Sequence, residues 1–151
     1  MKKLIITLIA LVCFIPAQAQ WVTKIIDNGF DGKFKVAYVE STTSKEFVKL
    51  YAQGDGTLGF LLYEGFICTD RPIVELTFLV GGEWQSYEAF RGSKSTDSEK
   101  VYMLDDITAI EEDFRKATIM KVRLNDDHCG TEIFEFNMSG SGKAIDFMKT
   151  P

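Results

Sequence analysis

The clearest pattern of apolar and polar positions lies near the end of the chain. From Thr118 to Leu124, Met120, Val122 and Leu124 alternate with Lys121 and Arg123. A period of two predicts a strand with one buried and one wet face. Glu132 to Met138 repeats it, with Phe134, Phe136 and Met138 opposed to Glu135 and Asn137. The polar run 125–131 between them contains Gly130, so the two strands form an antiparallel hairpin. Ser139-Gly140-Ser141-Gly142 then stops the second strand, and either serine is suited to cap a following helix. Ala144, Ile145, Phe147 and Met148 follow at helical spacing.

The same reasoning places elements upstream. Gln20-Trp21 opens a short lead-in, followed by turn signals at Asp27-Asn28-Gly29 and Asp31-Gly32. Phe34 to Glu40 reads as a strand with Phe34, Val36 and Tyr38 on one face. Phe47 to Gln53 and Thr57 to Tyr63 flank Gly54-Asp55-Gly56, a three-residue hairpin loop. Ile73 to Val80 is apolar on one face and partly so on the other, which predicts a central strand. Gly81-Gly82 turns it into Glu83 to Phe90. Gly92 to Glu99 reads as a mobile loop and Lys100 to Leu104 as a short strand. In Asp106 to Ala117, Ile107, Ile110, Phe114 and Ala117 share a helical face. Thr108 and Glu111 have capping-box spacing there, with Asp105 or Asp106 as alternative caps. The expected fold is mostly β: an antiparallel β-sandwich or partly open barrel of about eight strands with two short helices.

The run Phe136-Asn137-Met138-Ser139-Gly140-Ser141, closed by Ala144-Ile145 and Met148, resembles the C-terminal end of two families of small exported bacterial proteins. These are the invasion-associated locus B proteins and the accessory periplasmic proteins of type VI secretion clusters. The resemblance covers about the last quarter of the chain. It implies an exported β-rich domain and carries over no catalytic residue. The additional cysteine usual near the C-terminus of those proteins is absent.

The beginning of the chain agrees with export. Lys2 and Lys3 precede an apolar run, Leu4 to Ile15, too short for a comfortable membrane span. Ala17-Gln18-Ala19 suits signal peptidase, so residues 1–19 read as a cleaved signal peptide and 20–151 as one domain. Val12 stands where a lipoprotein signal needs a small residue before Cys13, which argues against lipidation. Loss of Lys2 and Lys3, the only charges in the leader, takes the formal charge from −5 to −7. An acidic mature domain argues against nucleic acid or anionic lipid as partner. Cys68 and Cys129 are the two cysteines left after cleavage. An even count in an exported chain predicts a disulfide between them.

Signals for chemistry are sparse. His128 is the single histidine, and with Asp126, Asp127 and Cys129 it forms a conceivable metal cluster. It lacks the spacing of structural zinc sites, so a solvated hairpin loop is the better account. Asp27 to Gly32 begins like a calcium loop but fails at Gly29 and Tyr38, the third and twelfth positions. There is no nucleophile elbow, phosphate loop or dinucleotide fingerprint. Glu111-Glu112-Asp113 reads as a solvated face near a helix N-terminus. Trp84, Tyr87 and Phe90 follow a hairpin tip, with Trp84 and Phe90 on one face and Tyr87 on the other. Core packing competes there with a recognition surface. The expectation is an exported, non-catalytic binding or assembly-accessory domain, needing no cofactor, whose partner is an envelope or secreted protein. Its rivals are a small secreted hydrolase using carboxylates and a metal-binding module.

Overall fold

A computed structural model describes residues 20–27, 29, 32–52, 56–63, 73–91, 93–94, 101–104, 106–126 and 130–151. The strands are β1 (Val22–Asp27), β2 (Lys33–Glu40), β3 (Phe47–Ala52), β4 (Leu58–Tyr63), β5 (Ile73–Val80), β6 (Glu83–Arg91), β7 (Ser93–Lys94), β8 (Val101–Leu104), β9 (Ile119–Asp126) and β10 (Gly130–Asn137). A 3-10 turn, Thr108–Ile110, leads into helix α1 (Glu111–Lys116), and α2 (Ser141–Lys149) ends the chain. The eight expected strands are joined by two that the pattern did not announce. The lead-in is β1, and two residues of the expected loop form β7.

Two antiparallel sheets result. One has six strands in the order β1-β2-β3-β4-β8-β7, the other four in the order β10-β9-β5-β6. Their inner faces share one core. Ala37, Val39, Val48, Leu50, Phe60 and Leu62 come from the larger sheet, and Val74, Leu76, Phe78, Met120, Val122 and Phe136 from the smaller. Ile107, Ile110, Phe114, Ala144, Ile145 and Met148 add the buried sides of the helical segments. β5 lies between β9 and β6, the central place that its two apolar faces predict. The Gly81-Gly82 turn has φ of 60° and 90°, which glycine adopts without a Cβ clash.

Three local expectations change. The capping-box spacing of Thr108 and Glu111 is not used: the Thr108 amide donates to Asp106 Oδ1 at 2.7 Å. Neither serine caps α2, whose N-cap is Gly140 at φ 91°. Ser141 instead donates its hydroxyl to the Phe114 carbonyl at 2.7 Å and ties α2 to the end of α1. The third change is on β6, where a bulge opposite Glu75 lets the strand advance from Tyr87 to Phe90 while β5 steps from Leu76 to Val74. Trp84 and Phe90 therefore do not keep the common register that simple alternation gives.

The sheets are stitched at one corner. Ser41 bridges Phe136, the Thr42 amide donates to the Glu135 carbonyl at 2.8 Å, and Ser41 Oγ donates to the same carbonyl at 3.0 Å.

Candidate functional site

β2 decides where a site can be. Its core-facing residues are Ala37 and Val39, so Phe34, Val36 and Tyr38 do share a face, and that face looks outward. Yet Val36 is only 2 % exposed. A buried valine outside the main core means that something covers it, and the cover comes from neighbouring strands. Lys24 pairs with Val36 across β1–β2, and Tyr38 pairs with Lys49 across β2–β3. Together with Ile26, Glu40 and Phe47 these residues line a concavity of about 290 Å³ on the outer face of the six-stranded sheet.

The floor of this groove is aromatic and its charge is uneven. Tyr38 and Phe47 meet edge to face, with centroids 6.2 Å apart. Lys24 Nζ lies 5.1 Å from the Tyr38 ring centroid, a cation–π contact. Lys49 lies beside the same ring in register. Burial, and then the neighbouring charge of Lys24, pushes the Lys49 ammonium below its ordinary pKa. Tyr51 extends the aromatic surface by laying its ring across Gly59 on β4. A Cβ built at Gly59 would stand 2.1 Å from the Tyr51 ring.

Several cations elsewhere meet carboxylates. Arg123 pairs with Glu75 at 2.8 Å, Lys121 with Glu135 at 3.6 Å, and Lys149 with Glu111 at 2.6 Å. Arg115 bridges Glu111 at 3.0 Å and Asp146 at 2.7 Å. In Glu111 burial favours the neutral acid, but hydrogen bonds from Lys149 and Arg115 outweigh it and hold the carboxyl below its ordinary pKa.

The residues singled out from the pattern are placed as follows. Trp84 is 46 % exposed on the outer face of the smaller sheet, with Lys121 Nζ 4.9 Å from its ring centroid. Tyr87 turns the other way. It packs on Phe78 with centroids 5.9 Å apart and donates its hydroxyl to Asp113, which raises its pKa. Only the backbone of Phe90 enters the account, paired with Val74. Trp84 and Tyr87 thus lie on opposite faces of the smaller sheet, as the alternation predicts. Cys68, Asp127, His128 and Cys129, as well as the leader 1–19, lie outside the described residues. Asp126 ends β9, paired with Gly130. No helix among the described residues is long and apolar enough to cross a membrane.

The groove itself went unnoticed in the sequence. The available signal was Val36-Ala37-Tyr38-Val39, a strand apolar on both faces, which implies a second covered surface.

Comparison with solved structures fits this architecture to a known one. The fold resembles that of invasion associated protein B from Bartonella henselae. The two match with a TM-score of 0.61 and 11 % sequence identity, over 87 % of this chain and 93 % of that one. At that identity the likeness is one of fold. It agrees with the resemblance read from the Ser-Gly turn and the terminal helix. No family model and no curated protein matches the sequence.

Proposed function

We propose that this is an exported, non-catalytic accessory domain of the cell envelope, and that it works by holding an envelope or secreted protein on the outer face of its six-stranded sheet. The observation that carries the reading is the aromatic groove around Tyr38, with the covered Val36 beneath it and two lysines at its side. Surfaces that recognise proteins concentrate aromatic side chains in this way. The likeness to a protein named for association with invasion, together with the leader-like residues 1–19, supports an address outside the cytoplasm.

The rival hydrolase reading needs a carboxyl kept protonated near neutral pH. Asp106, Glu111 and Glu112 are all displaced the other way, through hydrogen bonds to Thr108, to Lys149 and Arg115, and to Lys116. Capture from an envelope extract tests the proposal, comparing the wild-type protein with a Tyr38→Ala, Phe47→Ala double variant. A protein retained by the first and lost by the second is expected. Equal retention by both, or turnover of a polysaccharide, peptidoglycan or peptide substrate by the wild type, would overturn it.

A further inference from the structure

The groove has a chemical preference that the proposed function leaves open. We infer that it takes an extended acidic segment of the partner protein, seating an aromatic side chain on Tyr38 and Phe47 while the carboxylate beside it meets Lys24 and Lys49. The inference rests on the reading of this face as the binding surface.

Charge complementarity carries it. The molecule is acidic, and Arg115, Lys116, Lys121, Arg123 and Lys149 reach carboxylates on their own chain, while Lys35 reaches the Thr150 carbonyl. Lys24 lies over the Tyr38 ring and Lys49 lines the same groove beside it, and no carboxylate lies within ion-pair distance of either among the described residues. Glu40 also lines the groove but pairs through its backbone with Phe47, a step further along the strands. Two like charges held together over an apolar floor repel one another, and an incoming anion relieves that repulsion. Burial first, and the charge of Lys24 second, also lower the pKa of Lys49.

Size is compatible with a side chain of a longer segment. A concavity of about 290 Å³ lies at the lower end of the range of about 300–1,000 Å³ for small-molecule pockets, and, open to the surface and floored by strands, it accepts one or two side chains. The aromatic floor favours a ring, because offset and edge-to-face pairs add stabilisation beyond area burial. An acidic, aromatic stretch of polypeptide supplies both parts.

The test uses the full exported protein and three synthetic peptides: acetyl-Gly-Asp-Phe-Asp-Gly-amide, the same with both aspartates as asparagine, and the same with alanine for phenylalanine. Binding is read by calorimetry and by amide and side-chain NMR shifts. The acidic aromatic peptide should bind and shift Tyr38, Phe47 and Lys49. The asparagine and alanine peptides should each bind at least about fivefold more weakly, roughly 1 kcal/mol. Lys24→Gln and Lys49→Gln should each weaken binding to a similar degree, with thermal melts verifying the fold, while Lys121→Gln on the other sheet should not. Raising the salt from about 50 to about 300 mM should weaken the wild-type interaction. Equal binding of the asparagine peptide, an equal effect of Lys121→Gln, or no binding at millimolar peptide would overturn the inference. The capture comparison asks whether this face is used at all, so the two readings fail separately: a partner lost with Tyr38→Ala, Phe47→Ala but indifferent to Lys24→Gln and Lys49→Gln keeps the face and removes the acidic segment.

Discussion

Gly59 shapes the outer face of the six-stranded sheet by what it lacks. Tyr51 lies where a Cβ would stand, so Gly59→Ala must push the ring aside. The ring is the free end of a side chain, and the expected loss is that of a cross-strand pair, about 0.2–1 kcal/mol. A double-mutant cycle checks this: Gly59→Ala should destabilise in the wild type and have much less effect in a Tyr51→Ala background. Ser141 is a different case. Its buried hydroxyl satisfies the Phe114 carbonyl, so Ser141→Ala should cost about 1–3 kcal/mol in urea unfolding, whereas the exposed Ser139→Ala should stay within about 0.5 kcal/mol. Lys49 should behave oppositely. Its charge is disfavoured where it stands, so Lys49→Met should raise Tm while weakening anion binding, the signature of a residue kept for function. These roles depend on neighbours distant in sequence. Gly59 is visible in the sequence as a glycine inside a strand, but only the pairing of β3 with β4 brings Tyr51 over it.

Among elements, the strands with clean alternation were legible and the irregular ones were not. β9 and β10 fall close to the bounds that their apolar residues mark, because a register slip would turn Phe134 and Phe136 to water. β1 gave no such signal, since Val22, Ile25 and Ile26 do not keep one parity and only Trp21 before it is buried in the core. The β6 bulge was invisible for a related reason: nothing in Glu88-Ala89 marks an extra residue until Glu75 stands opposite. In the helical segments the apolar face was clear and Asp106, one of the alternatives offered, accepts the Thr108 amide, whereas the serine caps of α2 were misassigned because Ser139, Gly140 and Ser141 compete within a few positions. Glu111 leaves the helix start and joins α1 to α2 through Arg115 and Lys149. Its folded pKa lies below its unfolded value near 4.5, so the stability it adds is present above that value and is lost as pH falls through the folded pKa. Urea melts between about pH 6 and about pH 3.5 should show a shallower loss of stability in Glu111→Gln than in the wild type. An equal slope in both would remove Glu111 from the account of acid unfolding.

At the scale of the molecule, the general architecture was readable and the groove on the outer face was not. A chain of short alternating strands with few helices reads as stacked sheets, and the core of both sheets follows from it. Which of the two outer faces carries the groove depends on how β1, β2 and β3 lie together, and alternation alone is silent on that. A disulfide between Cys68 and Cys129 should add roughly 4 kcal/mol by the chain-entropy account. Cys68→Ser, Cys129→Ser and the double variant should then be equally destabilised, and non-reduced mass spectrometry should find no alkylatable thiol in the exported protein. The central claim, that the outer face of the six-stranded sheet holds a partner protein, is tested most directly by photo-crosslinking in the living envelope. Benzoylphenylalanine at position 38 should give a discrete adduct with one envelope or secreted protein, and the same group at position 86, on the outer face of the other sheet, should not. An adduct at 86 without one at 38 would contradict it.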